Sequence, residues 1–181
     1  MNAPQSATIA RGRTSTAVLA SLFVIAMALA AQVAIPVPGT PVPLALAPML
    51  VLLAGLWLGP AAGAASMAAY VALGAMGLPV FAPLGAPGVA RLLGPTGGYL
   101  LAYPVAAAVT GAIARGATRA PMRIVAALAG MAVIHAGGIA QLALLTGSLS
   151  SAVALGSAPF ALADAAKAVV AGLLPRRLPR A

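Results

Sequence analysis

The sequence predicts an all-α fold, an integral membrane bundle of six transmembrane helices forming a single membrane domain over residues 1–181. Three observations carry this. Of the 181 residues, 62% are hydrophobic and only 6% are charged, whereas an ordinary soluble domain carries about a quarter charged residues. The apolar residues gather into six runs, and a spanning helix needs about 20 residues for a hydrocarbon layer about 30 Å thick. The arginines gather at the ends of those runs. Six spans with short connections leave no room for a separate soluble domain.

The first run covers about residues 16–35, behind Arg11 and Arg13. It contains Ala28-Leu29-Ala30, the form of a signal-peptidase site, but its length and the spans that follow argue for a retained helix. Ala26 and Ala30 form a small-xxx-small face that lets another helix approach closely. In Ile35-Pro36-Val37-Pro38-Gly39-Thr40-Pro41-Val42-Pro43 the prolines remove backbone donors and forbid a continuous helix, so a structured loop or hairpin is expected. The second and third helices are expected at about 44–58 and 61–78, joined at Gly59-Pro60. Gly55, Gly59 and Gly63 recur every fourth residue and favour tight packing.

From Pro79 to Gly98 glycines and prolines break the pattern around a lone charge, Arg91. Backbone this irregular must lie outside the hydrocarbon or line a cavity enclosed by protein. The fourth helix is expected at about 99–113, the fifth at about 124–145, and the sixth at about 158–174, after a Gly/Ser-rich turn. Six spans put both termini on one side. Arg11, Arg13, Arg115, Arg119, Arg123, Arg176, Arg177 and Arg180 then share that side, which the positive-inside rule makes cytoplasmic.

Arg91, Asp164 and Lys167 are the exceptions to this bias, and function is expected there. A charge at the centre of a spanning helix costs about 2.5–3.5 kcal/mol on insertion scales, so such residues read as functional by default. Asp164 is the only acid in the chain. Lys167, three residues on, shares its helix face, so the two neutralise each other either as a packing ion pair or as part of a site. Arg91 and Lys167 each suit an anionic group, and Asp164 accepts hydrogen bonds from neutral N–H donors. The implied ligand has a carboxylate at one end and a polar N–H group at the other. Tyr99, Phe81 and Trp57 could supply the apolar surface between, or serve as packing.

His135 and Gln141 read as interhelical hydrogen-bonding residues, with a proton relay or a ligand as the alternatives for His135. One histidine, one acid and no cysteine do not make a metal site. No G-x-x-x-x-G-K-[ST] occurs, so ATP-driven work would need partner subunits. The net charge of +9 sits at helix ends, not on a basic face interleaved with aromatics, which argues against nucleic acid.

The sequence resembles the BioY family, the biotin-specific S components of energy-coupling factor (ECF) transporters, over nearly its whole length. The strings that carry the likeness are Gln32-Val33-Ala34-Ile35-Pro36-Val37-Pro38 with Pro41-Val42-Pro43, Leu52-Leu53-Ala54-Gly55-Leu56-Trp57-Leu58-Gly59-Pro60, and Gly74-Ala75-Met76-Gly77-Leu78-Pro79-Val80-Phe81. Leu93-Gly94-Pro95-Thr96-Gly97-Gly98-Tyr99, Pro159-Phe160 and Asp164-Ala165-Ala166-Lys167 complete the set. The resemblance implies a six-helix bundle holding biotin near its outer face. Its binding arginine and tyrosine match Arg91 and Tyr99, its Asp and Lys match Asp164 and Lys167, and Phe81 is placed with them. The resemblance does not assign which of these charged residues meets which end of biotin. Phe81-Ala82-Pro83-Leu84-Gly85 departs from a more glycine-rich or polar stretch expected there, so Pro83 and Leu84 are left out of the site.

The resemblance also implies docking through Ala26 and Ala30 onto an ECF transmembrane coupling subunit, with ABC-type ATPase subunits, in the cytoplasmic (inner) membrane. Biotin is then a transported ligand, not a cofactor. Two other functions compete. One is a self-sufficient proton-coupled vitamin permease using Asp164. The other is an intramembrane enzyme, against which stands the lack of a G-x-S-x-G nucleophile motif.

Overall fold

The computed structural model describes residues 4–175, with side chains described from Thr16 onward. It is mostly helical. The elements are α1 (Pro4–Gln32), β1 (Ala34–Ile35), β2 (Leu44–Ala45), α2 (Ala47–Leu58), α3 (Pro60–Ala75), α4 (Val89–Leu93), α5 (Gly97–Ile113), α6 (Ala120–Thr146), α7 (Leu149–Gly156) and α8 (Ala161–Leu173). Arg176, Arg177 and Arg180 lie outside the described residues, and Arg11 and Arg13 fall on α1 ahead of the described side chains.

Proline and glycine set most boundaries. The prolines after α1 end it and open a hairpin, in which β1 pairs antiparallel with β2 in the register Ala34↔Ala45 and Ile35↔Leu44. The first helix therefore stops at Gln32 and the second starts at Ala47, inside the limits of 35 and 44 read from the apolar runs. These two-residue strands also qualify the all-α expectation. Gly59 turns the chain and Pro60 opens α3, the position where its fixed φ and missing N–H cost nothing. The third helix ends at Ala75, not 78, and the fifth starts four residues earlier than 124, with Pro121 in its first turn.

Two helices were not expected. α4 is a single short turn inside the irregular 79–98 stretch, and α7 occupies the Gly/Ser-rich stretch read as a turn. For α7 the cause is local: the Ser148 side chain accepts from the Ser151 backbone N–H at 3.3 Å, satisfying an orphan donor at the helix start. α7 and α8 then meet at a bend of 58°, across a link containing Pro159.

Among the described residues, Ala120–Thr146 is the one unbroken helix long and apolar enough to cross a membrane. The bent pair α7–α8 meets the same test taken together, and α1 from Thr16, α2, α3 and α5 are shorter apolar helices. Large apolar side chains such as Leu22, Ile25, Leu29, Leu101, Val105, Leu144 and Leu162 point outward. Such a surface suits lipid and not water.

Helix α5 lies at the centre, against α2, α3 and α6, and α6 in turn packs on α7 and α8. Leu52, Met67, Tyr70, Ile134 and Leu142 fill the interior. At the α5–α6 crossing, a Cβ on Gly98 would collide with the Gly137 carbonyl, and one on Gly137 with the Gly98 carbonyl at 2.6 Å. Helix α1 packs on α2 and α3, burying Met27 and Ala31. Ala26 and Ala30 are half-buried on the flank of its outward crest.

Candidate functional site

One end of the bundle encloses a cavity walled by α3, α5, α6 and α8 and roofed by the hairpin and by the 79–94 segment. All three tyrosines of the chain and two of its three phenylalanines line it, namely Tyr70, Tyr99, Tyr103, Phe81 and Phe160. Tyr70 packs edge-on against Phe81 at 5.6 Å between ring centroids and stacks on Tyr103 at 6.5 Å. The charged members of the lining are Asp164 and Arg91. An aromatic cavity with a few placed polar groups is the usual form of a small-molecule site.

Asp164 stands in the first turn of α8, which exists because the chain breaks after α7. A carboxylate is favoured there by the helix dipole. Its Oδ1 accepts from Lys167 Nζ at 2.7 Å, and its Oδ2 lies 3.0 Å from His135 Nε2 on α6. Lys167 also donates to the Ala45 carbonyl at 2.7 Å. The ion pair expected from the i,i+3 spacing is therefore formed, but Lys167 stands behind the acid and is not part of the cavity lining.

Arg91, expected within an irregular stretch, stands on a short helix. It is buried on α4. Its Nε donates to the Ala86 carbonyl at 3.0 Å, Nη2 to the Ala82 carbonyl at 2.5 Å, and Nη1 to the Leu84 carbonyl. One guanidinium thus gathers three carbonyls of the segment that roofs the cavity. Burial lowers its pKa from the ordinary value, and Tyr70 opposes this to a smaller degree. Leu84, left out of the predicted site, serves through its backbone. Gly85, at φ +108, leaves room for the guanidinium, since a Cβ there would stand 2.8 Å from Nη1; a side chain would also strain that backbone.

The roof has further ties. Tyr70 donates its hydroxyl to the Val80 carbonyl at 3.1 Å, and Gln32 its amide to that of Phe81 at 3.2 Å. Gln141 donates to the Leu92 and Gly94 carbonyls at 2.8 and 2.6 Å, so it makes the expected interhelical bond, to the C-terminal end of α4. On the other side, Thr40 of the hairpin donates to the Leu155 carbonyl and Tyr99 to that of Gly156, both at 2.6 Å.

The structure thus brings Asp164, Arg91, Tyr99 and Phe81 to one cavity. Tyr99 offers its ring, because its hydroxyl is engaged by Gly156. Trp57 is elsewhere, packed edge-on against Phe23 of α1 at 6.1 Å. Tyr70, Tyr103, Phe160, His135 and hairpin residues Val42 to Ala45 line the cavity as well, and the sequence reading did not place them there. A signal existed for the tyrosines: three in so apolar a chain, each able to carry a polar tip into an apolar wall. Among the described residues no group of three or more His, Cys, Asp or Glu side chains could hold a metal ion.

Comparison with known proteins bears on the family and the fold. The sequence model of the BioY family matches residues 3–181. A probable biotin transporter BioY of Pyrococcus horikoshii is 41% identical over 160 residues, 88% of this chain and 93% of the relative. The biotin transporter BioY of Thermotoga maritima is 36% identical over 159 residues, 88% of this chain and 92% of the relative. Among solved structures, a crystal structure of the S-component for biotin from an ECF-type ABC transporter superposes with a TM-score of 0.83 at 25% identity. That match covers 91% of this chain and 90% of the other.

Proposed function

The chain belongs to the BioY family, and from that premise we propose that it is a membrane-embedded S component that captures biotin for an ECF-type ABC transporter. The single observation that carries the proposal is the placement of the chain's one acid, Asp164, and a buried arginine, Arg91, in one aromatic-lined cavity. Biotin joins a ureido ring, which has N–H donors, to a carboxylate on an aliphatic chain. A carboxylate has about four lone-pair sites and a guanidinium five N–H donors. Two partners engage Asp164 and three carbonyls engage Arg91, so both groups keep capacity for a ligand. The tyrosine and phenylalanine rings supply the apolar contact between its ends.

We read six spans: α1, α2, α3, α5, α6 and the bent pair α7–α8. With Arg115 and Arg119 exposed on the α5–α6 link, the positive-inside rule supports cytoplasmic termini in the inner membrane. No nucleotide-binding loop is present in the sequence, so energy comes from ATPase subunits reached through a transmembrane coupling subunit, with Ala26 and Ala30 as the docking face. The protein alters no bond in its ligand.

The test is a titration of the detergent-purified chain with biotin and with biotin methyl ester. Saturable binding of biotin, weakened by the ester, is expected. A folded protein that binds neither would overturn the proposal. Uptake into vesicles separates the rival permease: accumulation by this chain alone, driven by a proton gradient, would favour it.

A further inference from the structure

The structure assigns His135 as a positioning residue that aims the Asp164 carboxylate at the N–H end of the ligand; this rests on the biotin-capture reading. Asp164 has two side-chain partners among the described residues. Lys167 sits on the same helix, one turn on. Through Lys167 the acid is linked to the hairpin at Ala45, whereas His135, on α6, is the side chain from outside α8 that touches the carboxylate directly. That contact matters because α8 follows a 58° break: Arg123 of α6 holds its far end by donating to the Gly172 carbonyl at 2.9 Å, and His135 holds the near end, where the acid stands.

The imidazole is itself held. It packs edge-on against Tyr99, with 6.4 Å between ring centroids, and Gly138, one turn after His135, admits the Tyr99 ring where a Cβ would collide with it. Nε2 faces Asp164, while Nδ1 is buried without a hydrogen-bond partner. An imidazole carrying its proton on Nε2 fits this arrangement: it donates to the acid, and Nδ1 remains an acceptor. With Oδ1 drawn to Lys167 and Oδ2 to His135, the remaining lone pairs of Asp164 have one orientation. Their receptor is a ligand N–H donor.

The test is a double-mutant cycle on the full-length protein in detergent, titrated with biotin and melted without ligand. His135→Leu should weaken binding about tenfold, as expected for loss of a hydrogen bond to a charged group. His135→Gln, whose amide N–H reaches the place of Nε2, should recover most of that affinity. In an Asp164→Asn background the same His135→Leu change should cost less than about threefold, because a residue acting through Asp164 has nothing left to aim. Equal losses in both backgrounds, or a folded His135→Leu protein that binds as wild type does, would overturn the inference while leaving biotin capture intact. If His135→Leu does not fold, Gln is compared with the shorter Asn, and equal affinities would overturn it. Wild-type protein that binds no biotin would sink the capture reading and this inference with it.

Discussion

Lys167 donates to the carbonyl of Ala45 at 2.7 Å, so a single ammonium on α8 ties the cavity's acid to the second strand of the hairpin. Its removal should act on two elements at once. Lys167→Met leaves a largely buried carboxylate without its nearest cation, a change that costs roughly 3 kcal/mol or more. The melting temperature should fall clearly. Adding Asp164→Asn should raise it again, because the unpaired charge goes too. A double variant that melts below the single one would show that the pair stabilises the fold through something other than charge compensation.

Asp164→Asn alone tests the ligand contact. Loss of a charge-assisted bond worth roughly 1.5–3 kcal/mol corresponds to about a tenfold to hundredfold rise in the biotin dissociation constant. Isothermal titration, with melts of the ligand-free protein as the control for folding, reads the effect.

Arg91→Ala should damage the roof as well as the site. Its three carbonyl partners span 82–86, and truncation leaves them without their shared donor. Limited proteolysis should open this segment in the variant and not in wild type, alongside weakened biotin binding. Arg91→Lys should rescue little, since an ammonium lacks the planar fork that reaches several acceptors at once. A protease-resistant Arg91→Ala protein would mean that the other roof ties suffice.

Gly138→Ala places a methyl group against the Tyr99 ring. Overpacking of this kind costs about 1–3 kcal/mol, and here the displaced ring belongs to the cavity wall. Biotin affinity and melting temperature should fall together, and replacing Tyr99 with a smaller residue such as Leu in the same chain should restore part of the stability.

Replacing both Ala26 and Ala30 with Leu should weaken co-purification with the coupling subunit and leave biotin binding by the isolated chain nearly unchanged. Loss of both together would place the docking face elsewhere.

The sequence showed the helices because its apolar runs are long, and showed the hairpin because proline allows little else over 36–43. It singled out Asp164, Lys167 and Arg91 because charge is rare in such a chain. Other parts were hidden for physical reasons. α7 depends on one serine cap in a stretch whose composition reads as a turn. Arg91 looks like a loop charge, and only the fold shows the carbonyls that surround it. His135 and Asp164 are 29 residues apart, and no spacing rule links residues on different helices. Phe81 and the cavity tyrosines meet only when α3, α5 and the roof assemble, whereas Trp57 ends up beside Phe23.

The crossing of α5 and α6 at Gly98 and Gly137 has an electrical consequence. At these two glycines backbone meets backbone, so at that level the helices sit closer than side chains between them would allow. Ions and protons could pass there only if whole helices parted, which close-packed interiors resist.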